Sequence, residues 1–124
     1  MFYNLNFYFE KTDSNNAGIE VYYSNIVLNG NSGTSIPKDT WKNITVSRNS
    51  GTIASYINGI QDQSTSFTSN IALPPKIRFG ARYTAPSSNQ NYLFGNIGPI
   101  QIYNRALSVT EMHQNYNALK RRFI

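Results

Sequence analysis

The chain has 124 residues, 11 basic and 6 acidic side chains, a net charge of +5 and no cysteine. This length allows one domain with a real core, and the lack of cysteine excludes disulfides, thiolate metal sites and cysteine nucleophiles. No apolar run is long enough to cross a bilayer, and the N-terminus lacks the pattern of a signal peptide, so we expect a soluble protein made in a cytoplasm.

The N-terminal third of the sequence alternates apolar and polar residues with the period of β-strands. Tyr3, Leu5, Phe7 and Phe9 fall on one face and predict a first strand with that face in the core. Further strands are predicted over residues 19–23 and 26–28, with polar loops over residues 10–18 and 29–33.

The middle of the sequence predicts two consecutive chain reversals. Residues 41–48 and 52–57 should pair as a hairpin around a short glycine-containing turn, with a bulge or corner near Trp41. Asn58-Gly59 is the strongest turn signal in the chain, because both residues tolerate positive φ, and it should reverse the chain again. We expect residues 62–66 to form an outward loop.

The next stretch carries weaker strand signals. Residues 67–73 predict a strand that Pro74-Pro75 ends, because proline removes backbone donors. Ile77 and Phe79 alternate with basic residues as in a further strand, and residues 92–94 form another short apolar run. The polar stretch 83–91 between them is predicted to be a loop, presented outward from Thr84 to Asn91.

The C-terminal region predicts a strand joined directly to a helix. Ile100 and Ile102 alternate with Gln101 and Tyr103, which is typical of a strand with one buried face. Ser108 and Glu111 have the spacing of a capping box, and Leu107 and Met112 that of a hydrophobic staple. One apolar stripe of the helix, formed by Val109, Met112, Tyr116 and Leu119, should face the sheet.

From residue 41 onward, the sequence resembles the laminin-G-like, concanavalin A-like jelly-roll family. The resemblance rests on residues 41–48 (WKNITVSR), 55–59 (SYING), 77–80 (IRFG), 94–97 (FGNI) and 103–108 (YNRALS), followed by Glu111. It implies an all-β, two-sheet antiparallel sandwich with one short C-terminal helix, spanning residues 1–124 as a single domain. The residues that carry this signature are Trp41, Tyr56, Asn58, Gly59, Gly95, Tyr103, Asn104, Arg105, Leu107, Ser108 and Glu111.

Two departures from the family pattern bear on function. Gly98-Pro99 stands where many relatives have acidic residues, which puts any polar or ionic role of those acids in doubt. The N-terminal portion is short for the family, and we expect a few strands to be absent or supplied by a neighbouring chain. In that case, an exposed sheet edge would be an assembly site.

The acidic residues give little support for catalysis. Glycosidases of related fold use two closely spaced carboxylates, and none of the six acids here has a partner two residues away on a strand. His113, the one histidine, is interpreted as an exposed or half-packed helix residue. No metal or cofactor is predicted; only Asp13 with Asn15 and Asn16, or Asp62, could contribute to a calcium site.

The expected function is that of a non-catalytic structural or decoration module of a virus or phage particle. The C-terminal residues 115–123 resemble phage and large-virus structural proteins, which implies a place in the virion among other virion proteins or copies of itself. A carbohydrate-binding adhesion module is the alternative, and a nucleic-acid-binding protein is the weaker one, suggested by the positive charge. Tyrosine rings and amides suit sugar binding, and the candidate ligand-binding residues are Tyr56, Asn58, Asp62, Tyr83, Asn89 and Tyr92.

Overall fold

The computed structural model describes residues 6–71, 78–85, 88–90 and 92–123. Within these residues the chain forms nine strands and one helix. They are β1 (Asn6–Lys11), β2 (Asn16–Tyr23), β3 (Asn25–Leu28), β4 (Ile36–Pro37), β5 (Ile44–Asn49), β6 (Thr52–Ile57), β7 (Ile60–Ser66), β8 (Arg82–Ala85), β9 (Ser88–Gln90) and α1 (Val109–Lys120).

The strands form two antiparallel sheets and a separate hairpin. The first sheet has the order β1-β2-β3, with β4 also pairing with β2, and the second has the order β5-β6-β7. Strands β8 and β9 pair with each other only, among the described residues. All described pairings are antiparallel, as the sequence predicts.

The two sheets share a buried core on the side where β3 contacts β7. Val21 and Leu28 from the first sheet pack in one cluster with Ile53 from the second sheet and with Phe67, which directly follows β7. The ring of Tyr23 meets that of Phe67 edge-on, with centroids 5.5 Å apart. Burying side chains of this size contributes about 1.5–3 kcal/mol each. This core confirms the predicted two-sheet antiparallel sandwich.

Local turn chemistry explains how the second sheet forms. Asn58 and Gly59 have φ values of 54° and 80°, as a type I′ turn demands, and they connect β6 directly to β7. Ser50 has a φ of 54° in the turn between β5 and β6. Ser24, with a φ of 57°, separates β2 from β3. The predicted hairpins at both turns of this sheet are therefore confirmed.

The helix begins and is capped as predicted. Ser108 Oγ accepts from the Glu111 amide, and the Glu111 carboxylate accepts from the Ser108 amide, which completes the capping box. Met112 is buried, but Val109 is exposed, so its predicted place in the stripe facing the sheet is wrong. No helix in the described residues is long and apolar enough to span a membrane.

Three predicted loops contain strands instead. The loop at residues 10–18 is confined to residues 12–15, since β1 extends to Lys11 and β2 starts at Asn16. Residues 62–66 belong to β7, and residues 84–91 contain most of the β8–β9 hairpin. In each case pairing with a neighbouring strand satisfies the backbone, which lets a polar sequence adopt the extended conformation. Strand β4 was not predicted.

Four predicted strands are absent from the described residues. No strand is assigned at residues 67–71, 78–79, 92–94 or 100–103, and these stretches pair with no described strand. Phe67 is nevertheless buried in the core. Predictions for Tyr3, Leu5, residues 72–73, Pro74-Pro75 and Ile77 lie outside the described residues.

Candidate functional site

A large open cleft lies on the side of the sandwich opposite the β3–β7 contact. Its volume is about 2410 Å³. The end strand of each sheet borders it, through residues 7–9 of β1 and residues 44–48 of β5. Further walls are formed by residues 92–107 and part of α1, and by residues 13–17, 36–43 and 78–81. The cleft is thus the unfilled end of the space between the sheets.

The β1 wall presents aromatic side chains that belong to the core-facing side of the sheet. Phe7 pairs in register with Val21, and Phe9 with Ile19. Val21 and Ile19 are completely buried, whereas Phe7 is 46% exposed. The two phenylalanine rings contact each other with centroids 6.1 Å apart. The prediction that these rings face the core side is therefore correct, but they are not buried there.

The β5 wall presents the aliphatic side of its hairpin. Ile44 and Val46 pair in register with Ile57 and Ser55, so they share the face that carries buried Ile53 on β6. Both are only partly buried. The outer edge of β5 has no partner strand in the described residues, because the sheet ends there. An unpaired edge of this kind offers backbone donors and acceptors to another chain.

The segment 92–104, which contains the predicted strand at residues 100–103, forms the facing wall of the cleft. Its isoleucines are exposed, Ile102 by 69%. The segment is held at separate points: the Leu93 amide donates to the Gly80 carbonyl at 2.8 Å, and Asn115 Nδ2 donates to Tyr103 Oη at 3.1 Å. These anchors fix the segment to the helix and to residue 80, rather than to either sheet.

At the cleft, an aromatic contact joins the C-terminal end of the described chain to the residues that lead into β5. The rings of Trp41 and Phe123 have centroids 4.5 Å apart. Gly98 lies so close to Phe123 that a Cβ added there would be 3.0 Å from Cζ of the ring. Trp41 lies just before β5, not within a bulge, and remains 45% exposed. This contact ties the segment to both α1 and the entrance of β5.

A charged clamp fixes the segment where it enters the helix. Arg105 Nη1 and Nη2 donate to the two carboxylate oxygens of Glu111 at 3.0 and 2.6 Å. The hydrogen bonds from Arg105, and then those from Ser108, lower the pKa of Glu111 from 4.5 to about 2. The same pair raises the pKa of Arg105. The signature residues Tyr103, Arg105, Ser108 and Glu111 therefore serve as anchors of the segment.

The border of the cleft is strongly basic. Among the described residues, six basic side chains line it, against the two acids Asp13 and Asp39. The basic residues are Lys38, Lys42, Arg48, Arg78, Arg105 and Lys120. Both oxygens of the Asp13 carboxylate already accept hydrogen bonds within its own turn, from Asn15 and Asn16. The cleft thus combines apolar walls with a net positive border.

The structure brings three of the six predicted ligand-binding residues together. Tyr56, Asn58 and Asp62 lie on the β6–β7 hairpin, and Asn58 and Asp62 border a recess of about 210 Å³ with Thr34 and Ile60. Asp62 accepts from the Thr34 amide at 2.5 Å, and Asn58 accepts from the Asn43 amide at 3.0 Å. Both side chains therefore hold the backbone of neighbouring loops.

The other three predicted residues lie on a different part of the chain. Tyr83 and Asn89 are register partners in the β8–β9 hairpin, and Tyr92 follows it with 59% of its surface exposed. Tyr92 lines the open cleft, as does Asn58 of the β6–β7 hairpin. His113 is exposed on α1, where its ring lies beside Gly59.

The described residues contain no cluster of three metal-ligating side chains. The carboxylates of Asp13 and Asp62, suggested for calcium, each accept hydrogen bonds from backbone and side-chain donors nearby. Each acid therefore stabilises a turn or loop.

The residues of the cleft itself were not identified as a site from the sequence. Phe7, Phe9 and Ile102 have the alternation of core residues, and alternation gives no sign that the opposing layer is missing. The signal that could have found the cleft was the short N-terminal portion, which led to the expectation of an exposed sheet edge. Among the described residues, the outer edge of β5 has no partner strand, and the use of an exposed edge for assembly stays a prediction.

Comparison with known proteins places this fold in a family. Residues 3–113 match the family model Laminin G 3, described as the concanavalin A-like lectin/glucanases superfamily. The comparison with curated proteins gives no match. The chain is similar to the crystal structure of an S-layer domain-containing protein from Clostridium thermocellum ATCC 27405, with a TM-score of 0.57 and 21% identity. The likeness covers 93% of this chain and 63% of that one, and at this identity it shows the fold alone.

Proposed function

We propose that this chain, which belongs to the concanavalin A-like lectin/glucanases superfamily, is a non-catalytic structural module that attaches to neighbouring proteins through its open cleft. The particular role we propose is that of a structural or decoration module of a virus or phage particle. The mechanism is burial of apolar surface against a partner, combined with pairing along a sheet edge.

The open cleft is the observation that carries this proposal. Phe7, Phe9, Ile100 and Ile102 are all exposed, and all four line the same cleft, which the end strands of both sheets border. Single exposed apolar residues are normal on monomeric proteins, but a large contiguous apolar surface marks a site of interaction. A partner that covers these side chains would remove them from water and would supply the missing layer of the sandwich.

The arrangement of the acids supports a non-catalytic role. Glycoside hydrolysis needs two carboxylates that flank one bond. Here Glu20 accepts from the Tyr8 hydroxyl, Asp13 closes a turn, Asp62 holds residue 34, and Glu111 caps α1. Each of these four acids already has a structural partner, and the four lie in different parts of the chain.

The role in a particle draws on two further likenesses. The C-terminal residues 115–123 resemble phage and large-virus structural proteins, and the similar solved structure is an S-layer domain-containing protein. Both likenesses support the role of a structural module. Partners would then be other proteins of the particle.

A selection from a random peptide library against the intact chain tests the proposal. We expect peptides that bind the wild-type chain to lose roughly tenfold or more in affinity for Ile102→Ser, because burying one isoleucine is worth about 1.5–3 kcal/mol. Ile60→Ser is the matched control, since Ile60 is 67% exposed and lies on β7, away from the cleft. The affinity of the selected peptides for the Ile60→Ser variant should equal their affinity for the wild-type chain.

A glycan array, screened with and without calcium, tests the carbohydrate alternative in parallel. Glycans that bind the wild-type chain and lose affinity with Tyr56→Ala or Tyr92→Ala, while no peptide binds the cleft, would overturn the proposal. So would peptides whose affinity is insensitive to Ile102→Ser. Peptide binding confined to the cleft, with no glycan bound, would support it.

A further inference from the structure

We infer that residues 98–104, which we call the strap, close over the cleft in a minor form of the chain and add a strand to the outer edge of β5. The structure has the strap open. A closed strap occupies the edge that the proposed function gives to a partner, so closure and partner binding compete. This competition rests on the proposed function, whereas closure itself does not.

The strap has the side-chain pattern of a strand without the pairing of one. Ile100 and Ile102 alternate with Gln101 and Tyr103, which is the two-residue period of a strand with one buried face. Both isoleucines are exposed, and residues 100–103 pair with no described strand. The open strap therefore keeps in water an apolar side that an opposing layer would bury.

Strand β5 offers an edge within reach of the strap. Residues 44–48 border the same cleft, and on the side away from β6 no described strand pairs with β5. Gly98, the first residue of the strap, lies against the ring of Phe123, which contacts Trp41 in turn. Since Trp41 is three residues before Ile44, about 10 Å of extended chain separates this contact from the start of β5.

The strap is anchored near its C-terminal end rather than along its length. There, Asn115 Nδ2 donates to Tyr103 Oη at 3.1 Å. Residues 98–102 make no backbone hydrogen bond to any described residue, so their donors and acceptors are available to a strand edge. Before the strap, Gly95 is a suitable hinge, because the space around it is open and glycine adopts backbone conformations that other residues avoid.

The alternation of side chains determines the register of the closed strap. Ile44 and Val46 lie on the apolar face of β5, on either side of Thr45. The two isoleucines of the strap extend that face when Gln101 lies beside Thr45, whereas a slip of one residue would turn them to solvent. A parallel and an antiparallel strap give the same central pair, because each of these two polar residues is the midpoint between two apolar ones.

Disulfide trapping tests closure, since the chain has no cysteine of its own. In Thr45→Cys/Gln101→Cys, closure brings the two Cα atoms into the range of roughly 4.4–6.8 Å that a disulfide requires. Gln61→Cys/Gln101→Cys is the matched control, because Gln61 continues the row of Thr45 through Tyr56 but lies two strands away on β7. Oxidised glutathione is added to dilute protein, and mass spectrometry follows the disulfide. We expect it to form at least about tenfold faster in the first variant than in the control.

The apolar side of the strap should drive closure. Adding Ile100→Ser and Ile102→Ser to the Thr45→Cys/Gln101→Cys variant should slow disulfide formation about tenfold or more, because closure then buries no isoleucine of the strap. Adding Ile60→Ser instead is the control, since Ile60 is exposed and does not border the cleft, and it should leave the rate unchanged. An unchanged rate in the serine variant of the strap would contradict closure by apolar burial.

The trapped protein tests competition with a partner. Peptides selected against the wild-type chain should bind reduced Thr45→Cys/Gln101→Cys and lose about tenfold or more in affinity once its disulfide has formed, because the closed strap occupies their edge. Equal affinity for both forms would overturn the competition. Equal rates of disulfide formation in the two cysteine pairs would overturn closure and leave the proposed function intact. If no peptide binds the cleft of the wild-type chain, the proposed function fails, and the two rates still decide closure.

Discussion

The two sides of this sandwich have the same strand alternation but different burial. On the closed side, Val21 and Ile53 are 0% and 1% exposed, because two sheets meet over them. On the open side, Phe7 lies beside Val21 in the register of the same sheet and is 46% exposed. The difference shows that alternation decides which face of a strand a residue occupies, while burial depends on whether an opposing layer is present.

The largest expected difference between the two sides is in the loss of stability when an isoleucine is truncated to alanine. Ile53→Ala on the closed side should lower the free energy of unfolding by about 2–5 kcal/mol, from lost burial and the cavity left behind. Ile102→Ala on the open side should change it by less than about 0.5 kcal/mol, since most of that side chain is already in water. Urea denaturation of both variants measures this, and equal losses would mean that the open side is packed in solution.

A smaller difference in stability is expected when a glycine is replaced by alanine. Its size should depend on the space around the glycine. A Cβ at Gly18 would lie 1.8 Å from the Gly30 carbonyl oxygen, so Gly18→Ala must displace the 29–33 loop. We expect a loss of about 1–3 kcal/mol in the free energy of unfolding. At Gly95, beside the cleft, a Cβ would make only an ordinary contact at 3.8 Å with Leu93. Thermal unfolding should therefore show Gly95→Ala to be neutral or slightly stabilising, and a large loss there would contradict the open cleft.

A substitution in the β6–β7 turn should lower the free energy of unfolding by about 1 kcal/mol. Gly59 has a φ of 80°, which an alanine adopts only with strain, and an added Cβ would lie 3.0 Å from His113 Nδ1. Gly59→Ala should lower the free energy of unfolding by about 1 kcal/mol through strain alone. The same substitution in a His113→Ala background separates strain from contact. If the loss disappears there, the turn itself is unstrained and the helix contact is the larger effect.

The smallest expected effect is the pH dependence of the clamp at Glu111. Because its pKa in the folded chain is lowered to about 2, the clamp contributes its full stability above pH 4.5 and loses it as the pH falls through 2. Helix content, followed by circular dichroism, should therefore fall in a step between pH 4.5 and about 2. The Glu111→Gln variant should lack this step. Solvent screening keeps the step small, since both side chains are exposed. An identical profile for the two proteins would show that the clamp does not form in solution.

Local interactions were predicted well from the sequence. The helix was predicted from its cap because Ser108 and Glu111 are three residues apart and act on each other directly. The β6–β7 reversal was predicted because Asn58-Gly59 specifies its own turn. Both features depend on neighbouring residues alone, and both were confirmed.

Features that depend on distant partners were predicted poorly. Strand β7 has a polar sequence and was expected to be partly a loop, but it forms because the turn at residue 58 brings it beside β6. Residues 100–103 have the alternation of a strand, but they pair with no described strand. The candidate site also depends on residues that are distant in the sequence. An assembly edge was expected from the short N-terminal portion, but its basic border comes from Lys38, Arg78 and Lys120, whose proximity only the fold determines.

Hydrogen exchange of the isolated chain, resolved by residue, tests the open cleft most directly. Amides of β6, which pairs on both sides, should exchange slowly, at rates near the limit of global unfolding. Amides of residues 100–103 should exchange close to the rates of an unstructured peptide. Protection of residues 100–103 equal to that of β6 in the monomer would contradict the account, because it would show that this segment already completes the sandwich as a strand.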